Sequence, residues 1–193
     1  MLAAFGAHLI QADHIAHELM QPGQPVFHEV VRHFGHAILD RDGRVSRPKL
    51  AEAVFSPDKH GATRVEELNK IVHPAVIRRQ DEWMEEQGRV DPHAIAVVEA
   101  ALIFEAGAAE RFDRLVVVTC SEEQRVQRFA ERLKIDVDTA RREVERRKAA
   151  QWPDSAKIKK ADFVIDNSGS LDSTQAQVRN LFATLRKQAE LSR

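Results

Sequence analysis

Four short apolar bursts punctuate the chain: His8-Leu9-Ile10-Gln11, Ala94-Ile95-Ala96-Val97-Val98, Leu115-Val116-Val117-Val118-Thr119 and Phe163-Val164-Ile165. Each is a continuous apolar run rather than an alternation, the pattern of strands buried on both faces. Each ends at a polar or acidic residue and is followed by helix-type sequence. Between and after them, residues 121–134, 137–150 and 173–188 carry helical periodicity. Strand–helix alternation predicts an α/β fold with a parallel sheet. The interval between the first two bursts far exceeds one crossover helix. It holds several helical patterns broken at Pro22-Gly23, Asp42-Gly43, Pro57-Asp58 and His73-Pro74, and reads as a helical lobe inserted into the core. Met1–Phe5 looks like the last turns of a helix stopped by Gly6, where a doubly wound domain ordinarily begins with a strand.

Composition narrows the class. The 193 residues suffice for one sizeable domain or a core with a smaller lobe; 43% are hydrophobic and 31% charged, as in soluble globular proteins. Lys and Arg number 29 against 30 Asp and Glu, a net charge of -1, so no global field favours nucleic acid or an anionic membrane. One cysteine, Cys120, excludes an intrachain disulfide and a Cys-based zinc site. The longest apolar stretch is interrupted by Glu99 and Glu105, which leaves no membrane span. With no leader-like start, the expected location is cytoplasmic.

The candidate chemistry gathers at strand ends. Asp13 follows the first burst, where open α/β sheets bind ligands, and reads either as a working acid or as a helix N-cap. His14 and His17 read as polar-face residues of the helix that follows. Glu99 ends the second burst, as does the carboxylate that holds a Mg²⁺-bound water in nucleotide-binding sheets. Arg125, Arg128 and Arg132 share one helix face, and Arg141, Arg142, Arg146, Arg147 and Lys148 follow on the next helix. Guanidinium groups bind phosphate bidentately, whereas a solvated face would pair them with Glu122, Glu131, Glu143 and Glu145. Asp166-Asn167-Ser168-Gly169 ends the last burst as a tight turn.

Taken in order, these landmarks resemble the dephospho-CoA kinase family. They are Gly6 to Ala16, Phe34-Gly35-His36-Ala37-Ile38-Leu39, Asp42-Gly43-Arg44-Val45-Ser46-Arg47, His73-Pro74, Ala101-Leu102-Ile103-Phe104-Glu105 and Val164 to Gly169. The resemblance runs from Gly6 to about Leu185. It implies a P-loop kinase-type three-layer α/β/α parallel sheet, with a helical substrate domain inserted at 22–89. The nucleotide kinase core would be 1–21 and 90–193, with an Arg-rich lid at about 121–151. The implied reaction moves the γ-phosphoryl of ATP, with Mg²⁺, to the ribose 3′-hydroxyl of dephospho-CoA. On the resemblance, Asp13 meets the accepting hydroxyl, Arg128, Arg132 and Arg147 neutralise phosphate charge, and Asn167, Ser168 and Gly169 lie by the adenine. Glu99 is implied as a second-shell Mg²⁺ group.

The sequence departs from the family in three places. No G-x-x-x-x-G-K-[ST] occurs in it, so the amide cradle, lysine and Mg²⁺-ligating hydroxyl of that loop are not encoded. Gln11 stands where the family often has Asp, and Ala101 where it often has Pro. The expectation is therefore a chain without the central first strand and its loop, about 20 residues on the arithmetic of the strand–loop unit. Such a chain would have little kinase activity and impaired folding. The alternative is a non-catalytic protein that binds CoA or nucleotide.

Overall fold

The computed structural model describes residues 1–56 and 63–191; the Pro57-Asp58 break lies outside the described residues. The order of elements is β1 (His8–Gln11), α1 (Ala12–Leu19), α2 (Pro25–Phe34), α3 (Arg47–Phe55), α4 (Val65–Val90), β2 (Ala96–Glu99), β3 (Val116–Thr119), α5 (Glu122–Leu133), α6 (Val137–Ala149), α7 (Asp154–Lys160), β4 (Phe163–Asp166) and α8 (Leu171–Leu191). The α/β class, the four strands and the helices after β3 agree with the sequence pattern.

The chain divides into two compact units, His8–Ala100 and Met1–Ala7 with Ala101–Arg193. In the first, β1 and β2 pair in parallel, His8 opposite Ala96 and Gln11 opposite Glu99. Helices α1 to α4 build its core. On α2, Val26, Phe27, Val30, Val31 and Phe34 recur at helical spacing and are buried together with Ile15, Val54 and Val76. Pro25 opens α2 and Gly35 closes it at φ 82, the permitted ends of a short helix.

In the second unit, β3 and β4 pair in parallel, Val116 opposite Phe163 and Thr119 opposite Asp166. Ile165 packs on Val178 and Leu181 of α8. Helices α5 and α6 form a hairpin with its own small core of Val126, Phe129, Ala130, Ala140 and Val144. Their starts are capped by side chains: the Ser121 hydroxyl accepts from the Gln124 N–H at 3.3 Å, and the Asp136 carboxylate from the Thr139 N–H at 2.8 Å.

Three sequence expectations need correction. The strands are not buried on both faces: Ile165 is their one buried residue, and Val118 is 61% exposed. Among the described residues each strand has a single strand neighbour, so an apolar run fixes the strand without fixing its cover. Leu2–Phe5 is a 3-10 turn, not an α-helix; four residues cannot close an α-helical ladder. Gly6 does cap it, at φ 106, and such a positive φ suits glycine. Finally, β2 starts at Ala96, because Ala94 is held in a turn by its N–H on the Asp91 carbonyl at 2.9 Å.

Candidate functional site

The first unit places two acids at the carboxyl ends of neighbouring strands. Gln11 is the last residue of β1 and the N-cap of α1, so Asp13 is the second residue of the helix and not its cap. Asp13 is exposed, in the first helical turn, where the dipole favours a negative charge. Glu99 ends β2 directly across from Gln11, and the Gln11 side-chain amide donates to Glu99 Oε2 at 3.0 Å. Gln11 therefore braces the carboxylate instead of adding a second acid. His14 and His17 lie exposed on α1, and His17 meets Gln21 at 3.2 Å.

Among the described residues no three His, Cys, Asp or Glu side chains cluster as a metal site. Magnesium does not require such a cage, because one or two carboxylates together with substrate phosphates hold it. A strand-end carboxylate fixed through one oxygen by an amide fits that donor set.

The second unit gathers the arginines and the turn after β4. The Arg128 guanidinium donates to the Asn167 carbonyl at 3.0 Å, and the Gln124 amide donates to the Ser168 carbonyl at 2.7 Å. Asp166 shapes the turn from within: its Oδ1 accepts the Ser168 N–H at 2.9 Å. Hydrogen bonding from the Ser168 side chain and backbone holds the Asp166 carboxyl below its ordinary range. Gln177 of α8 clasps the same residue, accepting the Asp166 N–H at 2.9 Å and donating to its carbonyl at 2.8 Å. Asn167 and Ser168 are thereby held from α5, and Asp166 from α8.

Several other cations on these helices serve structure. Arg125 donates to Asp154 at 2.6 Å. Burial disfavours its charge, but Asp154 and the Cys120 sulfur outweigh that and raise its pKa. Arg146 pairs with Glu143 at 2.7 Å, and Lys148 pairs with Glu122. Arg132 and Arg147 differ: among the described residues neither forms an ion pair, and both guanidiniums lie against the ring of Phe129. Of the sequence-predicted set, Arg128 thus meets Asn167, and Arg132 and Arg147 each lie against Phe129.

Gln124, Gln177 and Phe129 were not singled out by the sequence. Gln124 sits three residues after the cap Ser121, a usable signal. Phe129 is three residues before Arg132, but its apolar neighbours explain it as core. Gln177 left no local trace.

Comparison with known proteins extends these observations. The dephospho-CoA kinase family model matches residues 1–173. A dephospho-CoA kinase of Moorella thermoacetica is 35% identical over 97% of this chain and 84% of its own length. That of Leifsonia xyli is 37% identical over 96% and 89%. Among solved structures, the protein TT1252 from Thermus thermophilus superposes with a TM-score of 0.72 at 30% identity, covering 95% of this chain and 87% of that one. A dephospho-CoA kinase from Campylobacter jejuni shares the fold, with a TM-score of 0.66. Family model and relatives agree across nearly all of the sequence: this chain belongs to the dephospho-CoA kinase family.

Proposed function

We propose that the protein phosphorylates the ribose 3′-hydroxyl of dephospho-CoA with ATP, giving CoA and ADP. The observation that carries this reading is kinship with dephospho-CoA kinases over 96–97% of the chain at 35–37% identity. In this reading Asp13 orients the hydroxyl and accepts its proton as the oxygen bonds to the γ-phosphorus. The bond from that phosphorus to the bridging oxygen breaks, and ADP leaves. Arg128, Arg132 and Arg147 spread the charge of the transferring phosphates. The turn Asn167-Ser168-Gly169 takes the adenine. Mg²⁺ would supply neutralisation of phosphate charge, and Glu99, braced by Gln11, would help hold it through water. Residues 22–89 supply the helical lobe for dephospho-CoA, 121–151 the Arg-rich lid, and 1–21 with 90–193 the nucleotide core. The proposed location is the cytoplasm; among the described residues no helix is long and apolar enough to cross a membrane.

Incubation with ATP, Mg²⁺ and dephospho-CoA tests the reading by chromatography of the products. At the low turnover expected without a Gly-Lys-Ser/Thr loop, ADP and CoA are still expected in equal amounts, and Asp13→Asn is expected to lower that turnover about 100-fold or more. ATP hydrolysis that ignores dephospho-CoA would overturn it. A second reading, a non-catalytic binder of CoA or nucleotide, draws on the lack of a Gly-Lys-Ser/Thr phosphate loop among these 193 residues. It predicts dephospho-CoA binding without turnover, so measured turnover removes it.

A further inference from the structure

Phe129 is a core residue of the α5–α6 hairpin, 7% exposed. Its ring does something leucine could not. The Arg132 guanidinium carbon, from the same helix, lies 5.4 Å from the ring centroid, and that of Arg147, from the neighbouring helix, lies 5.0 Å from it. Both distances fall within the reach of a cation–π contact. The two cations are therefore no farther apart than those two distances laid end to end, and neither has an ion-pair partner among the described residues. Arg125, Arg146 and Lys148 on the same two helices do have acidic partners. Two exposed like charges within that distance repel one another weakly, and a negative group facing both would relieve the repulsion. The ring's electron-rich face supplies part of that compensation, and a polyanion would supply the rest.

We propose that Phe129 is a positioning residue that pre-organises Arg132 and Arg147 as one two-pronged receptor for the polyphosphate of a nucleotide. The inference rests on the reading of those two arginines as phosphate ligands. Pre-organisation saves the ordering of two long side chains at the moment of binding. It also explains why the aromatic lies where the two helices meet and not on an exposed face.

Titration calorimetry with inorganic tripolyphosphate as the probe tests this, on the full chain and its variants, each with a thermal melt. Arg132→Ala and Arg147→Ala are each expected to weaken binding about tenfold. Phe129→Leu is expected to weaken it by a similar factor, from the loss of two cation–π contacts. Phe129→Tyr, which keeps the ring, is expected to bind within twofold of the parent. A purely structural role would lower the melting temperature and the dephospho-CoA affinity along with tripolyphosphate affinity; the proposal expects dephospho-CoA affinity to hold. If Phe129→Leu does not melt cooperatively, Phe129→Met replaces it. Should Leu or Met bind as tightly as the parent while the arginine variants are weakened, the role of Phe129 falls and the phosphate reading stands. A tyrosine variant as weak as leucine also overturns the ring's role. A parent that binds no tripolyphosphate, or arginine variants that bind it undiminished, overturns both.

Discussion

Lys157 Nζ lies 2.8 Å from Glu105 Oε1, and the two side chains are only 10% and 16% exposed. The same Oε1 accepts the Trp152 N–H at 2.7 Å, and Lys157 reaches the Gln151 side-chain oxygen at 3.1 Å. Phe104 stacks on Trp152 alongside. The ion pair thus ties the segment after β2 to α7, and the Trp152 hydrogen bond ties it to the turn that leads from α6 into α7. Burial pushes the Glu105 carboxyl up, but the Lys157 ammonium and the Trp152 N–H outweigh it and hold the pKa below its ordinary value.

Removing the cation should expose how much that pair matters. Lys157→Met keeps the length of the side chain and leaves a buried carboxylate without its partner. We expect a loss of about 3 kcal/mol at pH 7, read by urea denaturation. The pH dependence has a definite sign. In the parent, the lowered Glu105 pKa contributes stability at neutral pH that is lost as pH falls through the folded-state value. In the variant burial acts without Lys157 and raises the carboxyl, so the folded form keeps a proton that the unfolded form has released. The deficit should shrink on acidification below pH 7. A deficit that grows toward pH 5 would contradict this account.

This pair marks the limit of what the sequence discloses. Strands β1 to β4 are legible because β-branched runs such as Val116-Val117-Val118-Thr119 have little alternative. Helices α5 and α6 are legible because Ser121 and Asp136 announce their starts. Burial of Lys157 is not legible, since a lysine in Asp154–Lys160 reads as solvated and its partner lies in a distant loop. The exposure of Val118 is equally hidden, because a run of valines states a preference and not how many neighbours the sheet provides. At the site, the arginine pattern was readable and its sorting was not. Which guanidinium meets an acid, a carbonyl or a ring depends on how α5, α6, α7 and the 166–169 turn pack.

The C-terminus of α5 offers a gain. Lys134 ends that helix at φ 55, the one non-glycine residue with positive φ among the described residues. Its N–H serves the orphan carbonyls of Ala130 and Glu131. Left-handed backbone costs a residue with a Cβ about 1 kcal/mol or more, and glycine avoids that cost. Lys134→Gly should therefore stabilise the protein by about 0.5–1 kcal/mol, a rise of ~1–4 °C in Tm. A lower Tm would show that the lysine side chain contributes more than its backbone costs.

His73, in the middle of α4, provides a second pH test. Burial lowers its pKa from the ordinary 6.5, so the folded state disfavours the charged ring. As pH falls below about 6.5, the unfolded chain takes up this proton before the folded one, and stability declines until the folded ring also protonates. His73→Gln should remove that part of the acid slope. Parent and variant should differ most in pH dependence as pH falls below about 6.5 in paired urea titrations. Parallel curves would exclude a role for His73.

The turn after β4 can be loosened without touching its own residues. Thr174 is 4% exposed, and its hydroxyl lies 3.1 Å from Asn167 Oδ1 and 3.3 Å from the Ser170 carbonyl. Thr174→Val keeps shape and volume but withdraws the donor, leaving the Asn167 side chain without that anchor. The cost should be about 1–2 kcal/mol of stability, the range for a half-satisfied buried hydrogen bond. Because the proposed role of this turn is to take the adenine, ATP affinity should fall about threefold to tenfold, comparable with the loss of one hydrogen bond. Dephospho-CoA affinity should stay unchanged. Calorimetry with each ligand separates the two, and an equal loss for both would mean that the substitution perturbs the whole β4–α8 unit instead of the base-binding turn.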